Sequence, residues 1–196
     1  MPDPSLERVP RANLPADFQA LFAQADERSI DTTYLRVLAN HPALIRWYYE
    51  AFYQRVFYNS EGDMKVDRRT KELVRLKLSR HHGCQVCNRG NEIETLAAGY
   101  SQEQVDHIAA PTSQHFSPAE LAVLELCEQV VLQNLEGALT PELHRRLQPY
   151  FDDAQILELG LFAAMLAGFS KFLFVFDLVP RDPQCPLPVR ASTRES

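Results

Sequence analysis

Between residues 16 and 179 the apolar positions recur three and four apart, and no stretch shows the strict alternation of a half-buried strand. Phe18, Leu21 and Phe22 share one face behind Pro15-Ala-Asp. Asp31-Thr32-Thr33 offers a start signal for Tyr34, Leu35, Val37 and Leu38. Pro42 suits a first helical position, and Leu44, Ile45, Trp47, Tyr48, Phe52, Val56 and Phe57 follow at helical spacing. A loop at Asn59-Ser-Glu-Gly62 precedes a segment of strong helix formers, roughly Asp67 to His81, which Gly83 stops. Cys84 opens the next helix, closed by Gly99. Ser101 with Gln104, and Ser117-Pro118 with Glu120, read as capping boxes; Thr140-Pro141 and Asp152 or Asp153 start the last two helices.

The pattern predicts an all-α helical bundle with extended N- and C-terminal arms. Pro2, Pro4, Pro10 and Pro15 keep residues 1–15 extended, and residues 180–196 form a Pro-rich tail, leaving residues 16–179 as the helical domain. Leu159 to Phe169 is the most apolar run. It falls short of the roughly 20 residues a membrane span needs, and Glu158, Lys171 and Asp177 bracket it, so it reads as a core or subunit-interface helix and predicts a homo-oligomer.

Composition narrows the function. A net charge of −6 argues against binding nucleic acid through its phosphates, and Arg68-Arg69-Thr70-Lys71 reads as a solvated helix face. The N-terminus has neither the basic nor the apolar region of a secretory signal, so a cytoplasmic protein that does not enter a membrane is expected. Cys84, Cys87, Cys127 and Cys185 are too few for a disulfide framework.

The chemistry concentrates at Cys84-Gln-Val-Cys87. Three residues apart at a helix start, the two sulfurs share one face. Orphan N–H groups and the helix dipole favour a thiolate there, with Arg80, His81, His82 and Arg89 adding positive potential. A dithiol so placed can attack a peroxide or a disulfide and then close on itself. Zinc binding and plain burial of two small apolar residues are the rival readings. Cys127 reads as core, Cys185 as a free thiol in the tail, and Trp47, Tyr48, Tyr49 and Phe52 as core packing rather than a ligand box.

Glu72, eleven intervening residues and then Cys84-x-x-Cys87, led in by Asp67-Arg-Arg-Thr-Lys, resembles the carboxymuconolactone decarboxylase superfamily in its alkylhydroperoxidase D-like branch. Leu38-Ala-Asn-His-Pro42 resembles the segment ahead of that core, and the likeness covers roughly residues 35–110. It implies an all-α bundle of that type, assembled as trimers or hexamers, acting as a thiol-dependent hydroperoxide reductase. By position Cys87 is then peroxidatic, Cys84 is the resolving cysteine nearer the surface, and Glu72 is a general base acting through a relay. A lipoyl or thioredoxin-like dithiol supplies electrons, and no cofactor or metal is called for. Two positions depart from the pattern. Asn91 stands where the relay histidine is expected and cannot take up a proton, and Val86 precedes the second cysteine. His82 or His81 is a candidate substitute. A non-redox enzyme of the decarboxylase type and a redox-sensing assembly protein are the alternatives.

Overall fold

The computed structural model describes residues 2–182; Cys185 and most of the Pro-rich tail lie outside them. Among the described residues the chain is helical, with one isolated bridge between Cys84 and Arg181 and no strand. The helices are α1 (Ala16–Glu27), α2 (Thr33–Leu38), α3 (Pro42–Arg46), α4 (Arg68–His82), α5 (Gln85–Ala97), α6 (Gln102–Asp106), α7 (Pro118–Val130), α8 (Pro141–Leu147) and α9 (Asp153–Val175). The caps are those the sequence offers. Ser101, Ser117 and Asp152 form reciprocal capping boxes, Asp67 and Thr140 accept from the third helical N–H, and Gly83 ends α4 in the left-handed region at φ 70°.

Helix α4 is the central element, packed against α5, α7 and α9. Arg68 and Arg69 at its start are solvated, as the composition suggests, but Lys71, Glu72 and Lys77 are fully buried and Arg75 nearly so. Each is matched from another element or along the helix, as buried charge requires. Lys71 donates to Val56 O at 2.7 Å and pairs with Glu158 at 2.6 Å; Lys77 donates to Ile108 O at 3.0 Å and pairs with Glu128 at 2.9 Å. Glu158 also accepts from the backbone of Lys65 and Val66, so it ties α9 to the start of α4.

Helix α9 is long and apolar enough to cross a membrane by length and composition. Its inner face (Ile156, Leu159, Phe162, Ala163 and Leu166) sits in the main core with Tyr48, Phe52, Phe57 and residues of α4, α7 and α8. The outer face leaves Leu157, Leu161 and Val175 exposed.

Between α3 and the loop before α4, Trp47–Phe57 is wound as a π-helix. The wider winding has a specific result. Tyr49, Tyr53 and Tyr58 are spaced by four and five, as are Tyr48, Phe52 and Phe57. Nine residues make about two and a half turns of an α-helix, which would put the ends of each trio on opposite faces. The i→i+5 ladder, as in Tyr58 N to Tyr53 O at 2.8 Å, keeps each trio together. Phe52 and Phe57 face the core, Tyr49, Tyr53 and Tyr58 face a cavity, and Tyr48 touches both.

The N-terminal arm lies along the domain. Val9 and Arg36 exchange hydrogen bonds, Asn40 donates to Glu7 O, and Leu14 is buried with Phe18 and Phe22.

Candidate active site

Cys84 is the N-cap of α5. Its extended backbone (φ −84°, ψ 104°) places the sulfur to accept from Cys87 N–H at 3.2 Å. The two sulfurs are joined in a disulfide, with Cα atoms 5.2 Å apart. One turn-forming tetrapeptide thus supplies both the disulfide and the helix cap.

The two cysteines differ in exposure, in the opposite sense to that implied by the resemblance. Cys84, expected nearer the surface, is fully buried among Val37, Leu173, Leu178 and Val179. The cause is the chain leaving α9. Pro180 O accepts from Gln85 N at 3.2 Å and Asp182 N donates to Gly83 O at 2.8 Å, so residues 180–182 strap the start of α5. Cys87, one turn on, is half-exposed and opens on a cavity of about 420 Å³.

That cavity lies between α1, α2, the π-helix, α4, α5 and α9. Its walls carry Tyr34, Tyr48, Tyr49, Tyr53 and Tyr58, with Phe169 stacked on Tyr48 at 4.0 Å between ring centroids. Tyr48 and Tyr49 are thus both packing residues and cavity wall, whereas Trp47 is exposed beside a smaller apolar cleft. Burial pushes the Tyr34 phenol up to about 12 and those of Tyr48 and Tyr49 well above the usual tyrosine value, so all three stay neutral hydrogen-bonding groups.

The five residues singled out in the sequence are placed unequally. Cys87 and Asn91, one turn apart on α5, both line the cavity. The Asn91 side-chain amide donates to Arg75 O at 3.2 Å and so holds α5 against α4, while its backbone carbonyl accepts from the Thr95 hydroxyl one turn on at 2.7 Å. Glu72 does not line the cavity. Its carboxylate pairs with Arg75 at 2.8 Å and Arg68 at 3.3 Å; burial raises its pKa while both guanidiniums oppose the rise. It meets the cavity through Arg75, which lies in the wall. His82 does not substitute for a relay. It turns toward the end of α7, where Nε2 accepts from Leu132 N at 3.3 Å, and burial, with His81 beside it, lowers its pKa to about 4. Cys84 sits behind Cys87 under the strap.

Sequence analysis singles out none of the three charged cavity residues, Arg28, Arg75 and Glu94. Spacing offers a signal for one of them, since Cys87, Asn91 and Glu94 follow i, i+4, i+7 along α5. Arg28 comes from the end of α1, for which no local pattern exists. Cys127 is buried core, and burial pushes its thiol up to about 12.

Comparison with known proteins agrees with this architecture. The carboxymuconolactone decarboxylase family model matches residues 43–129. The uncharacterized Bacillus subtilis protein YdfG is 26% identical over 108 residues, which are 54% of this chain and 72% of that protein. The crystal structure of an alkylhydroperoxidase AhpD core, an uncharacterized peroxidase-related protein from Ralstonia eutropha, superimposes with a TM-score of 0.70 at 16% identity, covering 97% of this chain and 98% of that one. Residues 43–129 are thus similar to the carboxymuconolactone decarboxylase family, within a chain that has the alkylhydroperoxidase D core fold.

Proposed function

We propose that the protein is a thiol-dependent hydroperoxide reductase in which Cys87 meets the substrate and Cys84 completes the disulfide. The observation that carries this reading is the asymmetry of the pair. The sulfur facing the cavity is Cys87, and the sulfur held by the helix cap is Cys84.

In the reduced pair the cap favours negative charge on Cys84, which is then placed to take the proton of Cys87 as that sulfur attacks. An S–O bond forms on Cys87 and the peroxide O–O bond breaks. The alkoxide leaves as the alcohol, carrying the proton that Cys87 gave up. Cys84 thiolate next attacks the sulfenic acid; the S–S bond forms and hydroxide leaves, taking a solvent proton to become water. A dithiol of the lipoyl or thioredoxin-like class restores the pair by attacking Cys87, the accessible sulfur, and expelling Cys84 thiolate into the cap. The sum is hydroperoxide plus dithiol giving alcohol, water and disulfide.

This scheme accounts for Asn91. With Cys84 as the local base, no histidine is needed one turn beyond Cys87. Glu72 acts as a positioning residue for Arg75. Reduction at each cycle calls for a thiol-rich compartment, in keeping with the cytosol. The test is turnover. Reduced protein with dihydrolipoamide should consume an organic hydroperoxide, and Cys87→Ser should abolish this; equal turnover by that variant would end the reading.

A further inference from the structure

Four ion pairs join five side chains into one chain that begins and ends at the cavity wall. Arg28 pairs with Glu94 at 2.7 Å, Glu94 with Arg68 at 2.8 Å, Arg68 with Glu72 at 3.3 Å, and Glu72 with Arg75 at 2.8 Å. Three guanidiniums are set against two carboxylates, leaving one positive charge in excess. Arg28, Arg75 and Glu94 are also the charged residues that line the cavity, so no further carboxylate there cancels it. Arg75 is nearly buried with Tyr53 beside its guanidinium, and its Nε makes no hydrogen bond within the fold. A buried guanidinium donor left unmatched is costly, and an anion in the cavity would relieve that cost.

We propose that this end of the cavity receives a carboxylate, and that the substrates are aryl hydroperoxides bearing an anionic group remote from the peroxide. The inference rests on reading the cavity as the place where substrate meets Cys87. Size and wall chemistry support it. About 10 Å of helix separates Cys87 from Glu94, to which Arg28 is bonded, and a single ring substituted at opposite ends spans such a gap. The cavity volume of about 420 Å³ is that of a small-ligand site. Tyr48, Tyr49 and Tyr53 present ring faces and edges to a flat apolar body, 5.3–5.7 Å apart between centroids.

The experiment separates binding from turnover. Calorimetric titration of the oxidised protein would compare 4-isopropylbenzoate with its neutral isostere 4-isopropylbenzamide. The benzoate should bind roughly tenfold tighter or better, as a charge-assisted contact implies, and the margin should shrink with added salt. Arg28→Gln, at a residue more than a third exposed, should remove most of the preference. Glu94→Gln, which leaves the network more positive, should enlarge it. Equal binding of the two ligands, or the two variants shifting the preference in the same direction, would overturn the proposal. The reduced protein would then be assayed with cumene hydroperoxide and its para-carboxylate derivative. Preference for benzoate without consumption of either peroxide would refute the peroxidase reading and leave the anion site standing. Consumption of both peroxides with no carboxylate preference in binding or turnover would do the reverse.

Discussion

The backbone N–H of Cys87 donates to the sulfur of Cys84 at 3.2 Å, so the two residues of the disulfide are also the first hydrogen-bonded pair of α5. Redox state and helix capping are thereby coupled. Reduction leaves a sulfur whose negative charge the helix N-terminus stabilises, while the other sulfur looks into the cavity.

The strap over Cys84 yields the first prediction. Gln85 is the first helical residue of α5, where proline is tolerated, and its N–H is used only on Pro180 O. The extended backbone of Cys84 suits a residue preceding proline. Gln85→Pro should therefore spare the helix and loosen the strap. One lost hydrogen bond of about 1 kcal/mol corresponds to a roughly fivefold rise in strap opening. Alkylation of Cys84 in the reduced protein, followed by mass spectrometry, should accelerate by about that factor, with labelling of Cys87 unchanged.

Glu72→Gln should weaken the fold and the site together. It leaves the buried Arg75 without its carboxylate, a loss of roughly 3–5 kcal/mol where a buried pair is broken. Urea denaturation reads the stability. If Glu72 positions Arg75 rather than exchanging protons with the thiols, the pH profile of the remaining hydroperoxide turnover should keep its shape.

His82 gives a pH dependence with a definite sign. Its folded pKa is depressed from 6.5 to about 4. Between those values the unfolded chain binds a proton that the native state does not, so stability is full above about 6.5 and is lost as pH falls toward 4. The loss is on the order of 3 kcal/mol. Glu72, whose pKa is raised, contributes with the opposite slope. The comparison that isolates His82 is therefore wild type against His82→Gln, by urea denaturation at pH 7 and pH 4.5. The variant should lack that part of the acid sensitivity.

The outer face of α9 predicts self-association. Leu157 and Leu161 are 74% and 68% exposed, one turn apart, with Val175 beyond them. Sedimentation equilibrium should give a mass above the 22.4 kDa of one chain, and Leu161→Glu should lower it. A monomer at all concentrations would remove the idea.

The helix boundaries were legible because caps are local: Ser101, Ser117 and Thr140 at helix starts and Gly83 at a helix end act within four residues of themselves. The pairing of Cys84 with Cys87 was legible for the same reason. Burial was not. The charges of α4 resemble a surface face until Glu158 and Glu128 arrive from α9 and α7 to match Lys71 and Lys77. The exposure of the two cysteines was misjudged because residues 180–182, nearly a hundred positions away, decide it. The cavity was missed because its tyrosine wall depends on π-winding, which a search at α-helical spacing does not detect, and because Arg28 reaches it from another helix.

The central claim, that Cys87 is the sulfur that meets the peroxide, has a direct test. Reduced Cys84→Ser protein keeps an N-cap residue and has no partner to close the disulfide. Because this variant also lacks the base that takes the proton of Cys87, it and Cys87→Ser would be treated at about pH 9, above the ordinary cysteine pKa of about 8.5, with one equivalent of cumene hydroperoxide, trapped with dimedone and peptide-mapped. The account predicts a sulfenic acid adduct on Cys87 in the first variant and no adduct on Cys84 in the second. An adduct on Cys84 in the second variant, with Cys87 untouched in the first, would contradict it.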